Sequence, residues 1–155
     1  MAEQNKQEMA YLIADSGSTK CEWCLVDGKK ENCFITQGIS PYFLSGLEIT
    51  GLITTEVKSQ LKKSIITEVF YYGTGCKSPE NRKLVKKAVS TVFPEAKVFV
   101  HNDLMGAARA LCGKGKGIAC ILGTGSNSCY FDGKTIKKNS PGLGYVMGDE
   151  GSGAY

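Results

Sequence analysis

Two short segments rich in glycine, serine and threonine have the residue types of phosphate-binding turns. They are Asp15-Ser16-Gly17-Ser18-Thr19 and Gly123-Thr124-Gly125-Ser126-Asn127, about a hundred residues apart. A tight turn of these residues can direct several backbone N–H groups and hydroxyls at one point, which suits phosphate oxygens. Two such turns predict a nucleotide held between two related halves of the molecule.

The same order of elements surrounds both turns. An apolar strand precedes each turn, and a second strand that ends in Asp-Gly follows it, at Asp27-Gly28 and Asp132-Gly133. Asp-Gly between strands is a strong signal for a tight β-hairpin. The strands are predicted at residues 10–14, 20–26 and 30–36 in the first copy and at 118–122, 128–131 and 134–137 in the second.

The segment between the two copies alternates helical and extended patterns. Helices are predicted at residues 47–63, 79–93 and 103–112, and strands at 65–72 and 96–100. Ser78-Pro79 marks the start of the second helix, because serine is a favoured N-cap and proline fits the first helical position. Three antiparallel strands followed by this alternation predict an α/β fold with a mixed sheet flanked by helices.

A domain junction is predicted at the glycine- and lysine-rich run 113–117. This gives a first domain over residues 1–112 and a second over residues 113–155. The strand pattern restarts after the junction, and the second copy ends after its strands. We therefore expect the second domain to contain only the opening strands of a complete one.

Composition narrows the class of protein. The 155 residues are 42% hydrophobic and carry a net charge of +4, with lysines scattered in pairs. No basic stripe is interleaved with aromatic residues, so nucleic-acid binding is not expected. The polar start, Met1 to Glu8, has no apolar signal core, and no apolar run approaches the length of a membrane span. We expect a globular protein without a membrane partner.

The seven cysteines lie mostly inside apolar patterns, which predicts reduced thiols in a cytoplasmic protein rather than a disulfide framework. Cys21 and Cys24 match C-x-x-C, but positions three apart on a strand face opposite sides of a sheet. No second pair of cysteine or histidine ligands completes a zinc set.

Four motifs in order carry a family resemblance. They are residues 15–20, His101-Asn102-Asp103, residues 123–127, and residues 142–152 with the sequence Gly-Leu-Gly-Tyr-Val-Met-Gly-Asp-Glu-Gly-Ser. With these motifs the chain resembles the N-terminal half of sugar kinases in the actin/hexokinase/Hsp70 superfamily, in the N-acetylglucosamine kinase and BadF/BadG/BcrA/BcrD ATPase branch. The resemblance implies two ribonuclease-H-like (actin-like ATPase) domains around an ATP cleft.

The chemistry that the resemblance implies is transfer of the γ-phosphoryl group of ATP to a sugar hydroxyl, with Mg²⁺ as cofactor. In this comparison Asp15 orients the metal ion, and Asp103 is the general base. The phosphate contacts fall on Gly17, Ser18, Thr19, Gly123, Thr124, Gly125 and Ser126. The sugar contacts fall on Ser40, Asn102, Asn127, Asp149 and Glu150.

Several of these residues have plainer alternatives. Asp103 also fits the N-cap of the following helix, a role that is compatible with catalysis. Thr19 equally suits a residue that opens a strand, and Asn127 could bond within its own turn. Ser40 stands where asparagine is usual in the family, and Leu143 and Tyr145 replace tryptophan and histidine, so the acceptor sugar stays open.

Two other functions are compatible with the same resemblance. One is a BadF/BadG-type ATPase that activates a partner enzyme and holds an iron–sulfur cluster at a dimer interface. The other is a sugar-binding regulator without catalysis, which has no need of a base such as Asp103. For the isolated chain we expect little kinase activity, and association as a homodimer through exposed sheet surfaces.

Overall fold

The computed structural model describes residues 10–61, 64–140, 144, 147–149 and 151–153. The chain divides into two compact units, Met1–His101 and Asn102–Tyr155. The first unit contains a five-stranded mixed sheet with strand order β3-β2-β1-β4-β5. Its strands are β1 (Ala10–Ser16), β2 (Lys20–Asp27), β3 (Lys30–Gln37), β4 (Ile66–Gly73) and β5 (Lys97–Asn102).

Local sequence signals explain the pairing of the first three strands. β1, β2 and β3 form an antiparallel meander, and β4 pairs with β1 in parallel. The predicted hairpin at Asp27-Gly28 is confirmed: Asp27 pairs with Lys30, and Gly28 has a φ of 60°. A positive φ is easily adopted by glycine, because no Cβ meets the backbone.

Two helices cover one face of this sheet. α1 (Gly46–Leu52) begins at a capping box, in which the Glu48 N–H donates to the Ser45 hydroxyl and the Ser45 N–H donates to the Glu48 carboxylate. α2 (Pro79–Val92) begins as expected, with Ser78 as the N-cap and Pro79 at the first helical position. None of the helices in the described part of the chain has the length and hydropathy that crossing a membrane would require.

The single helix predicted over residues 47–63 is replaced by three kinds of helical turn. α1 passes into a π-helical turn, Ile53–Val57, and then a 3₁₀ turn, Lys58–Gln60. The hydroxyls of Thr50, Thr54 and Thr55 donate to the carbonyls four residues earlier, at 2.7–3.0 Å. Hydroxyls that compete for these carbonyls disturb the α-helical ladder.

The core of the first unit lies between the sheet and the two helices. Leu12, Trp23 and Tyr71 are fully buried, and the Trp23 and Tyr71 ring centroids are 6.2 Å apart. The Trp23 indole N–H donates to the Thr36 hydroxyl at 3.0 Å, which satisfies its polar atom in the core. On the opposite face of the sheet Ile13, Ile35 and Phe99 are exposed.

The second unit contains α3 (Asp103–Cys112) and an antiparallel sheet of β6 (Gly117–Leu122), β7 (Ser126–Phe131) and β8 (Ile136–Asn139). Leu104 and Ala108 of α3 form a core cluster with Ala119, Cys129 and Phe131. Because α3 packs on β6 and β7, the compact units divide before this helix, between residues 101 and 102, whereas the predicted domains divide at residues 112 and 113.

One pair of cysteines departs from the expectation of free thiols. Cys24 and Cys33 lie directly opposite each other on β2 and β3 and form a disulfide, while the other five cysteines are free. Their proximity depends on strand register, which their separation along the chain does not reveal. The predicted divergence of Cys21 and Cys24 is confirmed, because Cys21 lies on the buried face.

The buried and exposed thiols should differ in reactivity. Burial raises the pKa of the Cys21 thiol to about 12, whereas Cys120 is exposed. Because the thiolate is the reactive form, we expect iodoacetamide at pH 8 to modify Cys120 in the native protein and to spare Cys21. Peptide mapping by mass spectrometry measures both, with the protein in denaturant as the control in which both react. Equal modification in the native protein would contradict the buried position.

Candidate functional site

The first glycine turn joins β1 to β2 through Gly17, Ser18 and Thr19. The Gly17 N–H donates to the Lys20 carbonyl at 2.9 Å, and Ser16 and Cys21 are partners in the strand ladder. The three turn residues are exposed. The sequence thus folds into a tight loop that is open to a ligand from solvent.

Two carbonyl groups next to this turn are bonded inside the protein. The Thr74 N–H donates to the Ser16 carbonyl at 2.8 Å, and the Gly38 N–H donates to the Thr19 carbonyl at 3.1 Å. Carbonyl oxygens repel an anion, whereas N–H groups and hydroxyls attract one. Internal bonding of these carbonyls is therefore compatible with phosphate binding at the turn.

The residues that follow β3 pack against the first glycine turn and support it. The Ile39 N–H donates to the Ser16 hydroxyl at 3.0 Å, and the Tyr71 hydroxyl donates to the Ile39 carbonyl at 3.1 Å. Burial raises the pKa of Tyr71 well above its usual value, so this hydroxyl stays protonated as a donor. At Gly38, a Cβ would lie 2.5–2.6 Å from backbone atoms of Gly17 and Ser18.

The resemblance implied a sugar-side loop at residues 37–42, but the contacts of Gly38 and Ile39 with the first turn, and the part played by Tyr71, were not predicted. Gly38 and Ile39 follow the third strand, and Tyr71 lies in the middle of β4. The signal in the sequence was a glycine directly after a strand, which often marks a close backbone approach. Its partner could not be identified without the sheet register.

Asp15 lies at the end of β1, beside the first turn, and its side chain is exposed. Within the described residues no group of three His, Cys, Asp or Glu side chains could hold a metal ion. Mg²⁺ bound to a nucleotide keeps several waters and needs only one or two protein carboxylates beside the phosphates. A single exposed carboxylate next to the turn fits that requirement.

Ser40, predicted to contact the sugar, is 2% exposed. Its hydroxyl has no hydrogen-bond partner among the described atoms, while its carbonyl accepts from the N–H groups of Phe43 and Leu44. The hydroxyl therefore faces the interior of the first unit. A sugar contact by Ser40 stays a prediction.

In the second unit, Gly123, Thr124 and Gly125 join β6 to β7. The Gly123 N–H donates to the Gly125 carbonyl at 3.0 Å, and Leu122 pairs with Ser126 at the end of the ladder. This is the same position in a meander that the first turn occupies between β1 and β2. Both turns thus follow from one local pattern of strand, glycine turn and strand.

Asp103 is the first residue of α3 and is partly buried. Its carboxylate accepts from the Leu104 N–H at 2.8 Å. The N-cap is Asn102, whose side-chain oxygen accepts from the Met105 N–H at 3.0 Å. The alternative assignment of Asp103 as the cap is therefore wrong, because Asn102 fills that position.

Two other predicted sugar contacts have structural partners. The Asn127 side-chain oxygen accepts from the Asn139 amide at 2.6 Å, which joins β7 to β8. Asp149 accepts from the Ser126 N–H at 2.9 Å, so its carboxylate lies against the second turn. Glu150, Gly142, Leu143 and Tyr145 lie outside the described residues.

The structure resembles several solved proteins. A "Putative N-acetylglucosamine Kinase" from Porphyromonas gingivalis matches 92% of this chain and 51% of its own at 45% identity and a TM-score of 0.86. A second "Putative N-acetylglucosamine Kinase", from Chromobacterium violaceum, matches 96% of this chain and 54% of its own at 17% identity and a TM-score of 0.69. A non-polymerising MamK mutant bound to AMPPNP matches 84% of this chain and 52% of its own at 15% identity and a TM-score of 0.65.

The chain spans about half the length of these proteins. The two matches below 20% identity show the fold alone. No protein-family model and no curated protein matches the chain. The predicted α/β fold is confirmed by the five-stranded mixed sheet and by these likenesses.

Proposed function

We propose an ATP-dependent sugar kinase of the N-acetylglucosamine or glucosamine type. The chain has the fold of the actin/hexokinase/Hsp70 superfamily and resembles the N-terminal half of its sugar kinases. The reaction is transfer of the γ-phosphoryl group of ATP to a sugar hydroxyl. The observation that supports this most is the 45% identity to the Porphyromonas gingivalis protein over 92% of this chain.

Both glycine turns contact the phosphates of ATP in this proposal. Support comes from their equivalent positions, each between the first two strands of an antiparallel meander. The duplication extends to the Asp-Gly that follows, where Gly28 and Gly133 have φ values of 60° and 95°. We infer that each turn binds phosphate oxygens of a nucleotide, and the MamK mutant that shares this fold is bound to AMPPNP.

The roles proposed for the acidic residues are those that the resemblance implies. Asp15 orients Mg²⁺, which when bound neutralises charge on the phosphates. Asp103 accepts the proton of the sugar hydroxyl, and its bond to the Leu104 N–H fixes the orientation of the carboxylate. Carboxylates and amides suit sugar hydroxyls, so Asn102, Asn127, Asp149 and Glu150 are the proposed sugar contacts.

Assembly and location are also part of the proposal. Ile13, Ile35 and Phe99 expose an apolar sheet face in the first unit, which supports association as a homodimer. Free thiols at five of the seven cysteines support a reducing, cytoplasmic location.

The decisive experiment supplies Mg-ATP and one sugar at a time to the protein that contains this sequence. We expect sugar phosphate, detected by mass spectrometry, with an N-acetylated or free amino sugar, and little from the isolated 155-residue chain. Asp15→Asn should lower the rate by about 10²-fold, since an electrostatic contact to the transferring phosphoryl group is lost. Lys20→Gln is the control, because it changes the charge beside the same turn without removing a carboxylate.

The same assay separates the alternatives. ATP hydrolysis without sugar phosphate would favour an ATPase that activates a partner. Sugar binding without any turnover of ATP would favour a regulator. An unchanged rate in Asp15→Asn would remove the proposed metal contact.

A further inference from the structure

The carboxylate of Asp149 contacts the second glycine turn, at the place where the proposed function requires a phosphate. Its Oδ1 accepts from the Ser126 N–H at 2.9 Å. A Cβ on Gly125 would lie 3.2–3.3 Å from all three atoms of this carboxyl group. Glycine at this position therefore permits the carboxylate to lie directly on the turn.

The backbone of Asp149 is held in an unusual conformation to make this contact. Its φ is 66°, and among the described residues it alone has a positive φ without being glycine. Aspartate and asparagine adopt this region more readily than other side chains, but it still costs free energy relative to ordinary conformations. The contact is thus maintained against backbone strain.

Two backbone hydrogen bonds hold Asp149 and its neighbours in place, one within their own segment and one to the turn. The Ser152 N–H donates to the Asp149 carbonyl at 3.0 Å, and the Gly153 N–H donates to the Gly123 carbonyl at 2.7 Å. The Gly153 bond and the Ser126 bond thus connect the segment that contains Asp149 to the turn with the proposed phosphate contacts. All of these residues lie in the second compact unit.

A carboxylate and a phosphate oxygen compete for this position. The Ser126 N–H is a single donor that both the carboxylate and a phosphate oxygen need. The two groups are also anions, which repel each other at contact distance. Backbone N–H groups of a turn like this one bind anions of either kind. A phosphate that enters the turn must therefore displace the carboxylate or bind more weakly beside it.

We propose that Asp149 is a positioning residue that occupies the Ser126 N–H in the ligand-free protein and is displaced by phosphate. The displaced carboxylate becomes available to a sugar hydroxyl, so phosphate binding prepares the sugar side. This inference rests on the proposed phosphate role of the second turn. A residue that only contacts sugar would not change the affinity for phosphate when no sugar is present. A residue displaced by phosphate does change that affinity, so the two roles of Asp149 can be told apart.

The test uses the ¹⁵N-labelled 155-residue chain, inorganic triphosphate as the probe and Asp149→Asn as the variant. Asparagine tolerates the left-handed backbone and can still accept from Ser126, but it carries no charge. We expect an about tenfold lower dissociation constant for triphosphate in Asp149→Asn, which corresponds to about 1.4 kcal/mol. The Ser126 amide signal should already differ between the two ligand-free proteins, and should converge when triphosphate saturates both.

Asp132→Asn is the matched control. It makes the same change in net charge at the other end of β7, roughly 20 Å from Ser126 by the rise of a strand. The Asp132 carboxylate accepts hydrogen bonds from the N–H groups of Lys134 and Thr135, and an asparagine oxygen can accept them as well. Its affinity for triphosphate should equal that of the wild type.

The outcomes distinguish the inference from the function on which it rests. Triphosphate affinity that is equal or weaker in Asp149→Asn would overturn displacement and leave the phosphate turn intact. A tenfold gain in both variants would show a net-charge effect and also overturn it. If triphosphate moves no amide signal of residues 123–126 in either protein, the proposed phosphate role fails, and the inference fails with it.

Discussion

Asp103→Asn is expected to lower the turnover number of the proposed kinase by about 10²–10⁴-fold, the range for loss of a general base. An amide cannot accept the proton of the sugar hydroxyl. The substitution should leave stability nearly unchanged. The asparagine oxygen can still accept from the Leu104 N–H, as the Asp103 carboxylate does at 2.8 Å. Steady-state kinetics with Mg-ATP and the preferred sugar, together with a urea unfolding curve, measure both effects.

Glu80→Gln provides the matched control for this prediction. Glu80 is also an acidic residue in the first turn of a helix, α2, and it lies in the first unit. Neutralising it removes the same charge from a comparable helix terminus and should not change the turnover number. A normal rate in Asp103→Asn, or an equal loss in Glu80→Gln, would exclude Asp103 as the base.

Gly38→Ala is expected to destabilise the first unit by about 1–3 kcal/mol, the usual cost of inserting atoms into a well-packed region. The added methyl would lie 2.5 Å from the Ser18 carbonyl carbon and 2.6 Å from the carbonyl oxygens of Gly17 and Ser18. Since these are backbone atoms, the first turn itself must move. We expect weaker binding of AMPPNP by the intact protein as well as a lower free energy of unfolding.

Gly51→Ala tests whether the destabilisation comes from the position of Gly38 or from replacing any glycine by alanine. Gly51 lies in α1, and an added Cβ there would have no neighbour within 4 Å. Alanine favours helix over glycine by about 1 kcal/mol, so this variant should be as stable as the wild type or more stable. If Gly38→Ala and the wild type unfold at the same urea concentration, residue 38 does not lie as close to the turn as described.

The elements of the fold were predictable because their signals are local. The apolar run and Asp-Gly at the end of β2 predicted residues 20–26, and the strand spans Lys20–Asp27. Ser78-Pro79 predicted the start of α2 at the observed residue. Such signals depend on neighbours a few positions away, so they need no knowledge of the tertiary structure.

The predictions that failed depend on contacts between distant positions or on competition within a turn. Cys24 and Cys33 are brought together by the register of β2 and β3. The cap of α3 falls on Asn102 rather than Asp103, because adjacent polar residues compete for one position. The helix predicted over residues 47–63 changes its winding where threonine hydroxyls take its carbonyls.

By itself the sequence determined the duplicated strand–turn–strand pattern and the α/β order, since both depend on alternation and on glycine at tight turns. It also indicated which residues could bind phosphate. Only the tertiary structure decided what lies against those turns: Gly38 and Ile39 behind the first, and Asp149 on the second. A backbone N–H can be recognised as a possible anion donor from its turn, but its partner is known only when the chain has folded.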